Sequence, residues 1–99
     1  MSVFEFDLNL TFSTGGSAIF VFRKGTTTVQ DSSITINKMG LTSGEWSHVK
    51  YVREGTTVSC YVDNVLKDAC SLTDTPNRFY MIMDNTKHTL LKYKNFVIY

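Results

Sequence analysis

The sequence is poor in the residues that mark several common functional classes. Its 99 residues include one proline, two cysteines and two histidines, and no apolar run is long enough for a membrane-spanning helix. Ten lysines and arginines against nine aspartates and glutamates give a formal net charge of +1. Charge therefore does not point to nucleic acid, an anionic membrane or acidic substrates. Neither a thiolate zinc site nor a GxxxxGK phosphate loop is present, so we expect no nucleic-acid binding, no membrane insertion and no metal held by thiolates.

The residues that are abundant are threonine, valine, phenylalanine and tyrosine, which fit a pleated, half-buried surface. In residues 3–12, apolar side chains alternate with polar ones, which predicts a strand with one buried face. No segment has apolar residues at helical spacing, so no helix longer than one turn is predicted. The length suits one hydrophobic core. We predict a single all-β domain over residues 1–99, with two packed antiparallel sheets.

Turn-forming residues divide the chain into about nine predicted strands. Asp63-Asn64 is a signal for a two-residue type I′ hairpin turn. Residues 39–45, which contain two glycines, are predicted as a surface loop. The predicted strands are residues 3–12, 18–22, 26–30, 34–38, 46–53, 56–62, 65–72, 79–83 and 90–99.

The two cysteines lie on the two strands of this predicted hairpin. With a two-residue turn, Val62 pairs with Val65. The same register pairs Cys60 with Lys67 and directs Cys70 to the opposite face of the sheet from Cys60. A disulfide would then need a bulge or a longer loop. We expect two buried free thiols, with an oxidised pair as the alternative that leaves the cellular compartment open.

The central part of the chain resembles laminin G-like and concanavalin A-like lectin/glucanase domains. The resemblance lies in the order and spacing of a Trp followed by His-Val, an Arg before a Gly turn, and a Tyr-Val-Asp hairpin, in which Asn64 stands where the family has glycine. The matching segments are Trp46-Ser47-His48-Val49, Arg53-Glu54-Gly55 and Tyr61-Val62-Asp63-Asn64, with Phe4-Glu5-Phe6-Asp7-Leu8 similar to the opening strand and residues 90–99 to the closing strand.

This resemblance implies a two-sheet antiparallel β-sandwich of jelly-roll type that acts as a non-catalytic recognition module. The expected ligand is a glycan or surface polysaccharide, on an extracellular, cell-surface or virion-associated protein such as an adhesin or viral fibre. The alternative is a structural domain that meets another protein chain through a sheet face or an exposed edge strand. The chain is shorter than most members of the superfamily, so the loops that build ligand sites in relatives are trimmed here.

Glucanases of the same superfamily carry Glu-x-Asp-x-Glu along one strand, and the matching residues here are Glu5, Asp7 and Asn9. Retaining hydrolysis needs a second carboxyl group to donate a proton, which an asparagine amide does not have. We therefore predict that the protein is not an enzyme. His48 has no carboxylate or second histidine near it in the sequence, and Trp46 is predicted to be a core anchor rather than a sugar platform.

Candidate ligand-binding residues come from aromatic side chains that could stack on sugar rings. Tyr80 alternates with apolar neighbours beside the polar loop that contains Asp84 and Asn85, and Tyr51 and Tyr61 are comparable candidates on other strands. Burial of each tyrosine with its hydroxyl bonded is the structural alternative.

A calcium site is the one cofactor that the resemblance leaves open. The loop residues Asp31, Asp74 and Asp84-Asn85 offer oxygen ligands of the kind that calcium prefers. The same residue types form ordinary turns, and we favour that interpretation.

Overall fold

The computed structural model describes residues 2–12, 18–83 and 88–99. In them the chain forms nine β-strands and one helical turn, which confirms the predicted all-β class. The predicted loop residues Asp84 and Asn85 lie outside the described residues. The elements are β1 (Ser2–Phe12), β2 (Ala18–Lys24), β3 (Thr27–Thr28), β4 (Ile34–Thr35), α1 (Ile36–Met39), β5 (Trp46–Glu54), β6 (Thr57–Val62), β7 (Val65–Ser71), β8 (Arg78–Met83) and β9 (His88–Ile98).

The strands form two antiparallel sheets. The larger has five strands in the order β7-β6-β5-β1-β9, so the first strand of the chain lies between a middle strand and the last one. In the smaller sheet β2 is central. Strand β8 pairs with residues 18–23 of β2, while β3 and β4 pair with residues within 19–24. Strands β3 and β4 must therefore share the edge of β2 opposite to β8.

Alternation along the strands builds one hydrophobic core from both sheets. In β1, Phe6, Leu8 and Leu10 are buried, and in β5 the buried side chains are Val49 and Tyr51. These residues belong to the same buried cluster as side chains of β2, β4, β6 and β7. Burying one such side chain contributes about 1.5–3 kcal/mol. The polar residues between them consequently lie on the outer face of the larger sheet.

The β6–β7 hairpin has the predicted turn but a different register beyond it. Val62 pairs with Val65, as predicted, and Asp63 and Asn64 both have positive φ, of 50° and 67°. A bulge then shifts the pairing, so that Cys60 lies opposite Asp68 instead of Lys67. The prediction that Cys70 points away from the face of Cys60 is wrong, because the extra residue in β7 turns Cys70 to the core. Both thiols are buried and free.

Residues 34–39 differ from their predicted strand and loop. Only Ile34 and Thr35 are extended, and the chain then forms the single turn α1. The Thr35 hydroxyl accepts a hydrogen bond from the Lys38 amide at 3.3 Å and caps the turn, and Gly40 ends it with a φ of 67°. Met39 is thereby buried in the core rather than exposed in a loop. Among the described residues, no helix has the length and apolar content needed to cross a bilayer.

Candidate functional site

The outer face of the five-stranded sheet brings together polar side chains from three strands that are distant in sequence. Because Phe6 and Leu8 of β1 point to the core, Glu5 and Asp7 point away from it. In the antiparallel pairing of β1 with β5, Asp7 lies directly opposite His48. The register of the sheet therefore places a histidine next to two carboxylates.

These side chains form a connected group, which we term the acid–histidine cluster: Glu5, Asp7, His48, Asn95 and Tyr99. His48 Nδ1 lies 2.9 Å from Asp7 Oδ1, and His48 Nε2 lies 3.6 Å from Glu5 Oε2. The Asn95 amide donates to Asp7 Oδ2 at 2.7 Å, and the Tyr99 hydroxyl donates to Glu5 Oε1 at 3.0 Å. The expectation that His48 lacks a carboxylate neighbour is wrong, because its partners come from another strand.

Asn95 reaches the cluster because β9 contains a bulge. Along β1, one residue separates Glu5 from Asp7, whereas two residues separate their partners Val97 and Lys94 in β9. Asn95 takes the left-handed conformation, with a φ of 57°, which asparagine tolerates better than most residues. The bulge thus places an amide donor beside a carboxylate.

The cluster changes the acidity of two of its members. The hydrogen bond from Asn95, followed by the one to His48, lowers the pKa of Asp7 below 3.8. The hydrogen bond to Asp7 raises the pKa of His48 above 6.5; desolvation opposes this rise, and the charge of Glu5 adds to it. The arrangement therefore favours the imidazolium form of His48 and the carboxylate form of Asp7.

These shifts predict that the domain is most stable at mildly acidic pH. The contribution of Asp7 is present above 3.8 and is lost as pH falls through its lowered pKa. The contribution of His48 is complete below 6.5 and is lost as pH rises through its raised pKa. Since these side chains are partly exposed, the change should not exceed about 1 kcal/mol.

Urea denaturation at pH values on both sides of 6.5 measures this change. The free energy of unfolding should decline with rising pH in the wild-type protein, and His48→Gln should flatten that decline. An equal decline in the variant would show that other groups cause it.

Trp46 extends the same face beyond the cluster. It lies two residues before His48 on β5 and opposite Asn9 of β1, and its side chain is 45% exposed. The Lys94 ammonium sits 4.3 Å from the centre of its ring. The prediction of a core anchor is wrong for Trp46, because Val49 and Tyr51 hold the inward positions of the strand.

Asn9, at the position of the third acidic residue in the glucanase pattern, is almost fully buried. Its amide donates to the carbonyl oxygen of Gly44 at 3.1 Å, which ties β1 to the loop before β5. Asn9 therefore has a structural role beside Trp46 on this face.

The chain matches no protein-family model, no curated protein and no solved structure.

The three predicted tyrosines lie in different places. Tyr51 is 1% exposed, so its ring cannot contact a ligand at the surface. The prediction that Tyr51 binds a ligand is wrong. Tyr61 lies on the outer face, opposite Lys50 of β5. Tyr80 belongs to the smaller sheet, where the guanidinium of Arg23 covers its ring at 4.9 Å. The structure thus brings Tyr61, but neither Tyr51 nor Tyr80, to the face that carries Trp46.

The described loop carboxylates considered for calcium already have protein partners. Asp31 Oδ1 accepts a hydrogen bond from the Ser71 amide at 2.8 Å. Asp74 forms an ion pair with Lys24 at 3.3 Å and accepts a hydrogen bond from the Thr75 amide at 2.7 Å. In the described part of the chain, these contacts give both residues a structural role in turns.

Proposed function

We propose that the outer face of the five-stranded sheet binds carbohydrate and that the protein is a non-catalytic recognition module. The observation that carries this proposal is the exposed Trp46 ring on the same face as the acid–histidine cluster. Sugar recognition uses an apolar ring face beside groups that exchange hydrogen bonds with hydroxyls. Trp46 offers the ring, and Glu5 and Asp7 offer acceptors.

A bound sugar would lie along β5 and β1, with its C–H face on Trp46 and its hydroxyls toward His48 and Asp7. Lys94 now covers the indole, but an exposed cation–π contact is worth only about 0.5–1 kcal/mol. The flexible lysine side chain can therefore move aside and donate a hydrogen bond to the ligand. Tyr61, two strands from β1 on the same face, offers a further polar aromatic contact for a longer glycan.

The expected binding is weak. The cluster and Trp46 lie on a sheet surface rather than in a deep pocket, so few ligand atoms would be enclosed. Affinities in the micromolar to millimolar range are consistent with such a surface. Nanomolar binding of a monosaccharide would contradict it.

The family resemblance supports the same conclusion and adds a biological setting. It favours a jelly-roll arrangement of the two sheets and a place on an extracellular, cell-surface or virion-associated protein. The single hydrophobic cluster shared by both sheets is consistent with that packing. The amide of Asn9, which is bonded to Gly44 and has no proton to give as an acid, supports a module that does not cleave its ligand.

We expect Trp46→Ala to weaken glycan binding at least about tenfold, because tryptophan contacts often dominate binding surfaces. A glycan array identifies a ligand, and titration calorimetry then compares the wild-type protein with the variant. Tyr80→Ala is the matched control, since it removes a partly exposed aromatic ring from the other sheet. Equal loss in both variants, or loss in Tyr80→Ala alone, would contradict the proposed surface.

The hydrolase alternative has its own test with the same protein. If the protein releases reducing sugar from β-glucan and Glu5→Gln abolishes this release, the protein is an enzyme and the proposed non-catalytic function is wrong. Glycan binding without turnover supports the proposal.

A further inference from the structure

The side of the molecule formed by β8 and β9 carries a second candidate surface, next to the outer face. In the described residues, β9 pairs only with β1 and β8 pairs only with β2. Each strand therefore ends its sheet and leaves one row of backbone N–H and C=O groups without a strand partner. Such edges bind added strands unless the protein covers them.

On the opposite side of the molecule, backbone contacts join the two sheets at one end of β7. There, the chain between β3 and β4 meets the end of β7 through the bridge between Gln30 and Leu72. The Asp31 amide donates to the Ser71 carbonyl oxygen at 2.9 Å, and Asp31 Oδ1 accepts from the Ser71 amide. No comparable bridge joins β8 to β9 in the described ranges.

Between β8 and β9 lies an apolar groove of about 400 Å³, which we term the edge groove. Phe6 and Phe20 form its floor, Phe79 lies on the β8 side, and Tyr93 and Phe96 line it from β9. Tyr93 belongs to the inward-facing series of β9, since it pairs with the buried Leu8, yet it is 64% exposed. Among the described residues, no layer covers this part of the core-facing side of β9.

The groove and the free edge together fit an extended peptide strand. A strand paired with β9 would satisfy its backbone groups and would send every second side chain into the groove. Two register shifts against β1 bound the regular part of β9 at residues 90–94. This segment is where an added strand would pair without interruption.

The charges of β9 indicate which side chains an added strand would carry. Lys92 and Lys94 alternate with Tyr93 and face the outer side. On the occupied edge, β1 places Asp7 opposite Lys94 and Asn9 opposite Lys92. An antiparallel second copy of β9 centred on Tyr93 would instead oppose lysine to lysine, which is unfavourable.

We propose that β9 is the docking edge for an extended segment of a partner protein. The segment alternates apolar residues, which enter the edge groove, with Asp or Glu residues, which face Lys92 and Lys94. The bound strand would extend the larger sheet and would cover Tyr93 and Phe96.

The test uses two short blocked peptides, one alternating valine with glutamate and one alternating valine with lysine. Fluorescence anisotropy with labelled peptides should show that the glutamate peptide binds at least about tenfold more tightly. Hydrogen exchange on the wild-type protein should show new protection of the β9 backbone amides but not of those in β7. Equal binding of the two peptides, or protection outside β9, would overturn the proposal.

Two variants separate the edge groove from other exposed apolar positions. Tyr93→Lys places an inward charge on β9 and should abolish peptide binding. Leu66→Lys makes a similar change on β7, the other edge of the same sheet, where the leucine is 55% exposed, and should leave binding unchanged. Self-association of the protein that Tyr93→Lys disrupts would identify a second copy as the occupant and would also overturn the proposal.

Discussion

Replacing Tyr51 with alanine is expected to lower the free energy of unfolding by about 3–5 kcal/mol. The ring is buried at the centre of the aromatic cluster, with its centroid 5.0 Å from that of Phe4 and 4.9 Å from that of Phe79. Its removal leaves a large cavity and ends both ring contacts. A loss of this size is a large part of the stability of a domain this small. Urea denaturation followed by tryptophan fluorescence measures it.

Tyr51→Phe is the matched control for this substitution. Among the described residues, the Tyr51 hydroxyl forms no hydrogen bond of normal geometry and lies near the Cys60 thiol. Burial raises the pKa of this phenol well above its ordinary value. Removing the hydroxyl should therefore change the stability by less than about 1 kcal/mol. A loss of the same small size in Tyr51→Ala would show that the ring is not part of the core.

The second large effect concerns the two thiols. Burial raises the pKa of Cys60 and Cys70 to about 11, from an ordinary value of 9.0. Only the thiolate reacts with disulfide reagents, and near pH 8 this shift lowers its population about a hundredfold. Both thiols should therefore react at least about a hundredfold more slowly than free cysteine, since burial also blocks the reagent.

Absorbance from an aromatic disulfide reagent measures the rate, first in buffer and then in denaturant. Both thiols should react at once when the chain is unfolded, and Cys60→Ala and Cys70→Ala should each remove one equivalent. A fast equivalent in buffer would contradict the burial. Failure to react in denaturant without reductant would show that the two cysteines form a disulfide.

Local sequence patterns predicted most of the strands, because a strand or a tight turn is largely determined by residues that are neighbours in the chain. The alternation of apolar residues in 3–12 and the Asp63-Asn64 turn each depend on neighbours in sequence. The bulge in β7 and the turn α1 were missed for a related reason. At each of these places the chain has more than one possible local conformation, and tertiary packing selects one of them. In α1, the Thr35 cap is one of the local contributions.

The candidate site was largely beyond prediction because its contacts cross between strands. Alternation along β5 puts Trp46 on the same face as Lys50, whereas the usual burial of tryptophan favours the core. The partners of His48, however, follow from the register of β1 against β5, and that of Asn95 from a bulge in β9. No local pattern specifies which strands become neighbours.

The position of β1 between β5 and β9 has a consequence for how the protein is made. Asp7 is separated by 41 residues from His48 and by 88 from Asn95. Contacts that close such long loops slow folding, toward the millisecond-to-second range of all-β domains. During translation, β1 emerges from the ribosome before β5 and β9 are synthesised, so its phenylalanine side chains stay exposed until those strands are available. The apolar side chains of β1 are therefore the ones in the nascent chain that need protection from aggregation for the longest time, for example by a chaperone.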